Sequence, residues 1–328
     1  MQIINVFPAK DAIKAALDSI QEGSEEVTIN LESGTYSEIL SYNKKNPLII
    51  QAKDGVSAKD CILAAENCEA FHKDTENRSV FVFGPDCTNV TLKGFTIENT
   101  HIKTKPAVAL ANQAEALCWH NRTGFLYAEN MRFISRQDTI HVKGFSYFNK
   151  CFITGDVDYI WGYCHTCLLE DCLIHTREDN LGDRDAYVLQ SRALNSAPGF
   201  IFKKCKFTAD KRLNSKIYIG RSSGTGSENS VERWDSIALI DCIVSSDYDE
   251  AFYTDENGER NVYPAGSAQS GWREYGTKIL LPDGTLHNAS TSKRYKMNYS
   301  LSEQEYHQFY DDSAIESLKE KLASKKQN

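Results

Sequence analysis

A short unit recurs along this chain, and it restricts the fold more than any other feature. It consists of a polar pair, then Cys, Met or Gly, then alternating apolar residues. It reads NVTLKGFTIENT at 89–100, YAENMRFIS at 127–135, YFNKCFITG at 147–155, LLEDCLIHT at 168–176, FKKCKFTAD at 202–210 and LIDCIVSS at 239–246. The central residues are Gly94, Met131, Cys151, Cys172, Cys205 and Cys242, at steps of 37, 20, 21, 33 and 37. Period-two alternation inside each unit reads as a strand. No helical pattern separates the units, which argues against a sheet built from strand–helix–strand crossovers. Short strands, polar turns and a period near twenty predict a parallel β-helix, in which each coil buries its inward side chains on the next. The steps of 20 and 21 read as plain coils; the longer ones carry an inserted loop or a second coil.

On this reading Met131, Cys151 and Cys172 form an internal stack, which accounts for much of the cysteine content. The ten cysteines are expected to be buried free thiols, because a chain of this length with no visible leader does not read as a disulfide scaffold. A zinc reading of Cys164-His165-Thr166-Cys167 with Cys172 is the sharper alternative. It lacks a second matching pair, so no metal site is expected.

Helical patterns occur at the two ends. Residues 9–21 place Ile13, Ala16, Leu17 and Ile20 on one face, and Gly23 follows as a stop. Such a helix would cap the open end of the solenoid, whose strand edges would otherwise pair with other chains. Residues 302–324 carry Tyr306, Phe309, Tyr310, Ile315, Leu318 and Leu322 at helical spacing. The expected architecture is one all-β domain over 1–328, with coils over about 25–246. Residues 247–328 then form loops and a C-terminal helix packed on the solenoid.

The net charge of −8 leaves no basic stripe for a nucleic-acid backbone. No apolar run approaches a membrane span. No basic-then-apolar leader is visible at the N-terminus, so the expected location is the cytoplasm, or outside the cell if a leader has been removed. The expected state is a monomer.

Two acidic segments follow successive strand units: Ser135-Arg136-Gln137-Asp138-Thr139-Ile140 and Gly155-Asp156-Val157-Asp158-Tyr159-Ile160-Trp161-Gly162. Asp138 and Asp158 are 20 residues apart, which is one coil. Equivalent residues on adjacent rungs stack about 4.8 Å apart. Two carboxylates that close cannot both ionise easily, so one can attack while the other holds a proton. A lone Asp here would read as a turn residue; a pair at one-coil spacing does not. Gln113 and Gln137 fall on the same line of rungs. An amide can donate to a developing oxyanion without titrating, although an amide ladder between turns would look the same. Arg221 could pair with a carboxylate and hold it in place.

These segments together resemble the pectin methylesterases, or pectinesterases. Gln113-Ala-Glu-Ala-Leu resembles the family's Gln-Ala-Val-Ala-Leu, and Gln137-Asp138-Thr139-Ile140 its Gln-Asp-Thr-Leu. Gly155-Asp-Val-Asp158-Tyr-Ile-Trp-Gly162 is similar to Gly-Thr-Val-Asp-Phe-Ile-Phe-Gly. Tyr187-Val-Leu-Gln190-Ser-Arg192 is similar to a Thr-Ala-Gln-Gly-Arg stretch. Tyr218-Ile-Gly-Arg221 is similar to Tyr-Leu-Gly-Arg-Pro-Trp, and Gly34-Thr35-Tyr36-Ser37-Glu38 matches an early Gly-Xaa-Tyr-Xaa-Glu. The matches keep the family's order and span roughly 34–223.

The resemblance implies a right-handed parallel β-helix that hydrolyses galacturonate methyl esters, in pectin or its oligosaccharides, with no cofactor or metal. Asp158 would be the nucleophile and Asp138 the general acid, then base. Gln113 and Gln137 would form the oxyanion hole, and Arg221 would orient Asp158. Tyr159, Trp161, Gln190 and Asp156 would face the sugar.

Three departures qualify it. Ser222-Ser223 stand where the family has Pro-Trp, removing an aromatic platform. Aromatic residues differ at Tyr159 and Trp161. Asp156 replaces Thr; strand alternation puts it on the face of Asp158, where it would raise that group's pKa or repel free carboxylates, unless it is a solvated surface residue. A related esterase acting on another acyl group, or a silent carbohydrate-binding solenoid, are the alternatives. The paired-acid glycosidases of similar shape carry a Gly-His-Gly segment that is missing here, and no acidic metal cluster with a basic partner suggests a calcium-dependent lyase.

Overall fold

The computed structural model describes residues 2–104, 112–182, 184–212, 215–222, 231–254 and 266–325. Among the described residues the strands stack into two long sheets whose strand pairings are parallel, apart from an antiparallel pair between Lys278–Leu280 and Leu286–Asn288. Each coil lays a strand on the one before it. Arg132–Ile134 pairs with Phe152–Gly155, that strand with Leu173–Thr176, and that in turn with Lys206–Ala209. The chain is a parallel β-helix, as the repeat predicts.

A left-handed turn residue explains the repeat unit. Asn130, Lys150, Asp171, Lys204 and Asp241 all have φ between 52° and 55°. Each donates its backbone N–H to the following coil, for example Lys150 to Glu170 O at 2.9 Å and Asp171 to Lys203 O at 3.0 Å. The next residue then turns inward. Met131, Cys151, Cys172, Cys205 and Cys242 are buried in a line, and Cys151 N lies 3.4 Å from Cys172 Sγ. A small side chain suits this position because successive rungs leave only the inter-strand spacing between neighbours.

In the unit at 89–100 the assignment shifts by one residue. Gly94, with φ of 70°, is the turn residue, and Phe95 is the buried member that meets Met131. All ten cysteines are free and buried. Cys164, Cys167 and Cys172 lie in the main core, while the His165 ring packs on Phe145. They do not form a metal cluster with His165.

The coils extend beyond the expected limits in both directions. Gln2–Val6 pairs with Val27–Leu31, and Trp272–Tyr275 and Lys278–Leu280 continue the two sheets past residue 246. Turn chemistry rather than apolar alternation carries these late rungs: Gly276, with φ of 66°, repeats the left-handed turn.

Helix α1 (Ala12–Ser19) buries Ile13, Ala16 and Leu17 over the first coil. Its N-cap Asp11 makes no side-chain cap, so its first N–H groups need another acceptor. Glu38 provides it, accepting from Ile13 N at 3.0 Å and Lys14 N at 2.8 Å. At the other end Lys44 donates to Leu17 O and Ile20 O, a favourable place for a cation. Tyr36, buried, donates to Val6 O and Glu32 O. The segment from Gly34 to Glu38 is therefore the clamp that seats the cap. Glu38→Ala should lower unfolding stability by about 1–2 kcal/mol, read as a shift in the urea midpoint.

The C-terminal helix expected over 302–324 is two helices, α2 (Glu303–Phe309) and α3 (Asp312–Ser324). The break falls at Asp311, whose carboxylate caps Ala314 N at 2.8 Å and so starts a new helix. Ile315 and Leu322 of α3 join Phe125, Leu168, Ile201 and Ala238 in a second apolar cluster on the outside of the solenoid. Among the described residues, no helix is long and apolar enough to cross a membrane.

Candidate active site

The two aspartates occupy equivalent places on successive rungs. Gln137 bridges to Val157 and Ile140 pairs with Ile160, so the 20-residue step holds across Asp138 and Asp158. Asp138 N donates to Val157 O at 3.1 Å. Both aspartates have left-handed backbones, with φ of 63° and 48°. Asp tolerates this conformation better than most residues, and such outliers concentrate at functional sites. Gly162 closes the second segment at φ 146°, and a Cβ there would lie 1.9 Å from Val142 O, so only glycine fits.

Their surroundings differ. Asp158 is 6% exposed and held by a guanidinium fork: Arg221 Nε donates to Oδ1 at 2.8 Å and Nη2 to Oδ2. Gln190 Nε2 adds a bond to Oδ2 at 3.3 Å, and Arg192 fixes that amide by donating to its oxygen from Nε at 2.8 Å. Arg221 rests on the Tyr187 ring, 4.4 Å from its centroid. A fork of this kind fixes the orientation of the carboxylate.

Asp138 is 4% exposed and shares its cation. Arg78 Nη2 donates to Asp138 Oδ2 at 3.0 Å, while Nε and Nη2 also reach Glu115 at 2.7–2.9 Å. Nη1 donates to Glu69 at 2.8 Å and to Gln113 Oε1 at 2.9 Å. One guanidinium thus faces three carboxylates. Burial first, and the Glu115 carboxylate second, push the Asp138 carboxyl well above its usual range, against the pull of Arg78. The Glu115 carboxyl is likewise raised by burial. The arrangement can hold a proton on Asp138 beside the forked Asp158.

Gln113 and Gln137 are partly exposed beside this pair. The Gln113 oxygen is engaged by Arg78, which turns its NH₂ end away from that cation. Trp161 forms a wall: its ring stacks on His141 at 3.8 Å, and Arg192 lies 4.9 Å from its centroid.

Two expected sugar contacts are overturned. Tyr159 has no exposed surface, and its hydroxyl bonds Thr176 in the core at 2.9 Å. Asp156 is also fully buried. Lys103 Nζ lies 2.6 Å from Asp156 Oδ2 and 2.9 Å from Asp179 Oδ1, off the hydrogen-bond direction for Asp156, so charge holds that contact. The alternation argument fails because Asp158 is left-handed and the pairing register shifts between Val157 and Ile160. Asp156 is neither a solvated residue nor a sugar contact. Ser222 Oγ bonds Asp235 Oδ2 at 2.9 Å; Ser223 lies outside the described residues.

The sequence reading missed Arg78 and Lys103, and gave Arg192 no role although it stands in a matched segment. Arg78 lies 60 residues before Asp138, in no recognisable motif. Glu115 carried a signal: a charged residue at the centre of an apolar Ala-Glu-Ala-Leu segment needs a buried partner.

A parallel β-helix with an acid pair on adjacent rungs is the class that fold and site define. The sequence profile of the Pectinesterase family matches residues 8–227. Among curated relatives, pectinesterase/pectinesterase inhibitor 3 of Arabidopsis thaliana is 28% identical over 218 residues, covering 64% of this chain and 34% of that one. Pectinesterase 31 of Arabidopsis thaliana is 27% identical over 221 residues, covering 65% of each. The chain thus spans about a third to two thirds of the length of these relatives. Pectin methylesterase from carrot superposes with a TM-score of 0.74 at 18% identity, covering 98% of this chain and 96% of that one, which shows a shared fold. The chain belongs to the pectinesterase family.

Proposed function

We propose that this protein hydrolyses the methyl esters of galacturonate in pectin or its oligosaccharides through an acyl-enzyme on Asp158. The observation that carries this reading is the contrast between the two stacked aspartates. Asp158 is forked by Arg221, and Asp138 is buried beside Glu115. Names and folds of the relatives support the substrate class.

In the first step an Asp158 oxygen attacks the ester carbonyl carbon. The oxyanion receives amide N–H bonds from Gln113 and Gln137. The carbon–methoxide bond breaks, and Asp138 gives its proton to the leaving oxygen, releasing methanol. Asp138, now a carboxylate, takes a proton from water. The hydroxide attacks the acyl carbon, the bond to Asp158 breaks, and free galacturonate leaves. Arg221 and Gln190 hold Asp158 in line throughout. Methanol release from methylated oligogalacturonates of defined length tests the proposal. Activity confined to a generic acyl ester would favour the alternative that Ser222 raises, an esterase of another acyl group.

The pH profile offers a second check. Acylation needs Asp138 protonated, so rate falls on the alkaline side as Asp138 ionises. Glu115 raises the Asp138 pKa by charge repulsion, so Glu115→Gln should lower it. It also frees Arg78 to pair with Asp138, which acts in the same direction. The alkaline limb of kcat/KM should therefore move to lower pH in Glu115→Gln. A limb that stays in place or moves up would show that another group carries the proton.

A further inference from the structure

The row of side chains that leads to the acid pair begins with a cluster the ester chemistry does not use. Strand Leu117–Trp119 pairs with Ile140–Asn149 so that Cys118 faces His141 on the next rung, and His141 faces Trp161 on the one after. Cys118 Sγ lies 3.2 Å from His141 Nδ1. Cys118, His120 and His141 are all buried, and one ligand atom from each lies within 4.8 Å of the others.

We propose that Cys118, His120 and His141 bind a borderline transition-metal ion of the zinc class, with a fourth position open to water.

Zinc–sulfur and zinc–nitrogen bonds of about 2.3 and 2.0 Å at a tetrahedral angle put sulfur and nitrogen about 3.5 Å apart. The Cys118–His141 pair is already close to that edge, and a ligand atom of His120 lies within 4.8 Å of both. A thiolate with two imidazoles is a donor set for zinc, cobalt or copper rather than calcium or magnesium.

An unpaired nitrogen supplies an independent observation. His120 Nε2 is buried without a hydrogen-bond partner, which costs stability unless something fills the site, while His141 Nε2, also unpaired, is not the ligand atom because that ring meets Cys118 through Nδ1. His120 Nδ1 lies 2.9 Å from Glu76 Oε1, outside the hydrogen-bond direction; with a metal on Nε2, Nδ1 carries the hydrogen and Glu76 is the acceptor beside it. Such carboxylate–histidine pairs orient metal ligands. Lys143 Nζ donates to His120 Nδ1 at 2.9 Å, a bond that metal binding at Nε2 must displace, and its charge also opposes a cation. Glu76 and Ser79 line an outer cleft of about 250 Å³. On binding, the sulfur–hydrogen bond of Cys118 breaks, its proton goes to solvent, and a sulfur–metal bond forms; no redox change occurs.

The test is cobalt(II) titration of the full chain under a non-chelating phosphine reductant, followed by zinc competition and elemental analysis. A thiolate-to-cobalt charge-transfer band should rise in the near ultraviolet, saturate at one ion per chain and be displaced by zinc. Cys118→Ser should abolish the band, and His120→Gln should weaken binding about tenfold or more. Lys143→Met should tighten it several-fold by removing a neighbouring cation. Cys172→Ala, altering a thiol of the interior stack, should leave the titration unchanged. Near-ultraviolet circular dichroism reports whether each variant is folded. A folded wild-type chain with no band overturns the site, as does a full band in Cys118→Ser. If Cys118→Ser fails to fold, an affinity unweakened in His120→Gln and not tightened in Lys143→Met overturns it equally.

Discussion

Asp158→Asn should release methanol from methylated oligogalacturonate at least about 10³-fold more slowly than the native chain. An amide oxygen does not attack an ester carbon as a carboxylate does, so no acyl-enzyme forms. The fold should survive. Asn tolerates the left-handed conformation nearly as well as Asp, and the rung pairing here uses backbone atoms, with Asp138 N on Val157 O. Arg221 loses its charged partner but keeps the Tyr187 ring beneath it and stays partly exposed. Asp138→Asn should be severely impaired in the same assay, because departing methoxide then has no acid to protonate it. The two variants separate in mechanism. Asp138→Asn can still acylate a substrate whose leaving group needs no proton, such as an ester of an acidic phenol, whereas Asp158→Asn cannot. Near-native turnover by folded Asp158→Asn would sink the proposed mechanism.

The coil repeat was legible because two local signals coincide at each turn: a residue that accepts positive φ, and a small inward residue after it. Both are short-range, so a sequence window contains them. The single-coil step between the acid segments was legible for the same reason, as nothing interrupts the chain between residues 138 and 158. Gly94 was misplaced by one position because glycine fits the turn and the small-residue slot alike; only the pairing of Phe95 with Met131 distinguishes them. The late rungs were missed because strand Trp272–Tyr275 follows a long connection and carries Arg and Glu beside its aromatic residues, which does not read as an inward-facing strand.

Asp156 shows where alternation ceases to be a guide. Period-two reasoning assumes extended backbone at every step, and Asp158 leaves that region. A left-handed residue resets which face its neighbours present, and the register shift that follows is a tertiary feature. The buried partner was equally hidden: Lys103 lies more than fifty residues upstream, and a lysine in a polar loop segment ordinarily reads as solvated. Long-range charge pairing of this kind leaves no periodic trace.

Arg78→Met should be the most destabilising single change near the site, lowering unfolding stability by about 3–5 kcal/mol. Arg78 is 4% exposed and Glu115 has no exposed surface. Methionine fills part of the volume but supplies no donors, so Glu115, Asp138 and Glu69 lose their shared cation at once. Buried carboxylates without a cation relieve the cost by taking up protons. The deficit should therefore be largest at neutral pH and shrink as pH falls into the ordinary carboxylate range. Asp138 would hold its proton more tightly still, since its one attractive neighbour in this cluster is gone. In Arg78→Met that still folds, the alkaline limb of kcat/KM should move to higher pH, opposite to the shift in Glu115→Gln. The double variant Arg78→Met/Glu115→Gln should recover part of the lost stability, because it removes a buried charge along with its partner. Urea unfolding at two pH values, with the pH–rate profile of the folded variants, measures all of this. A loss below about 1 kcal/mol at neutral pH, the range of an exposed ion pair, would mean that solvent reaches Glu115 and that Arg78 does not set the protonation of Asp138.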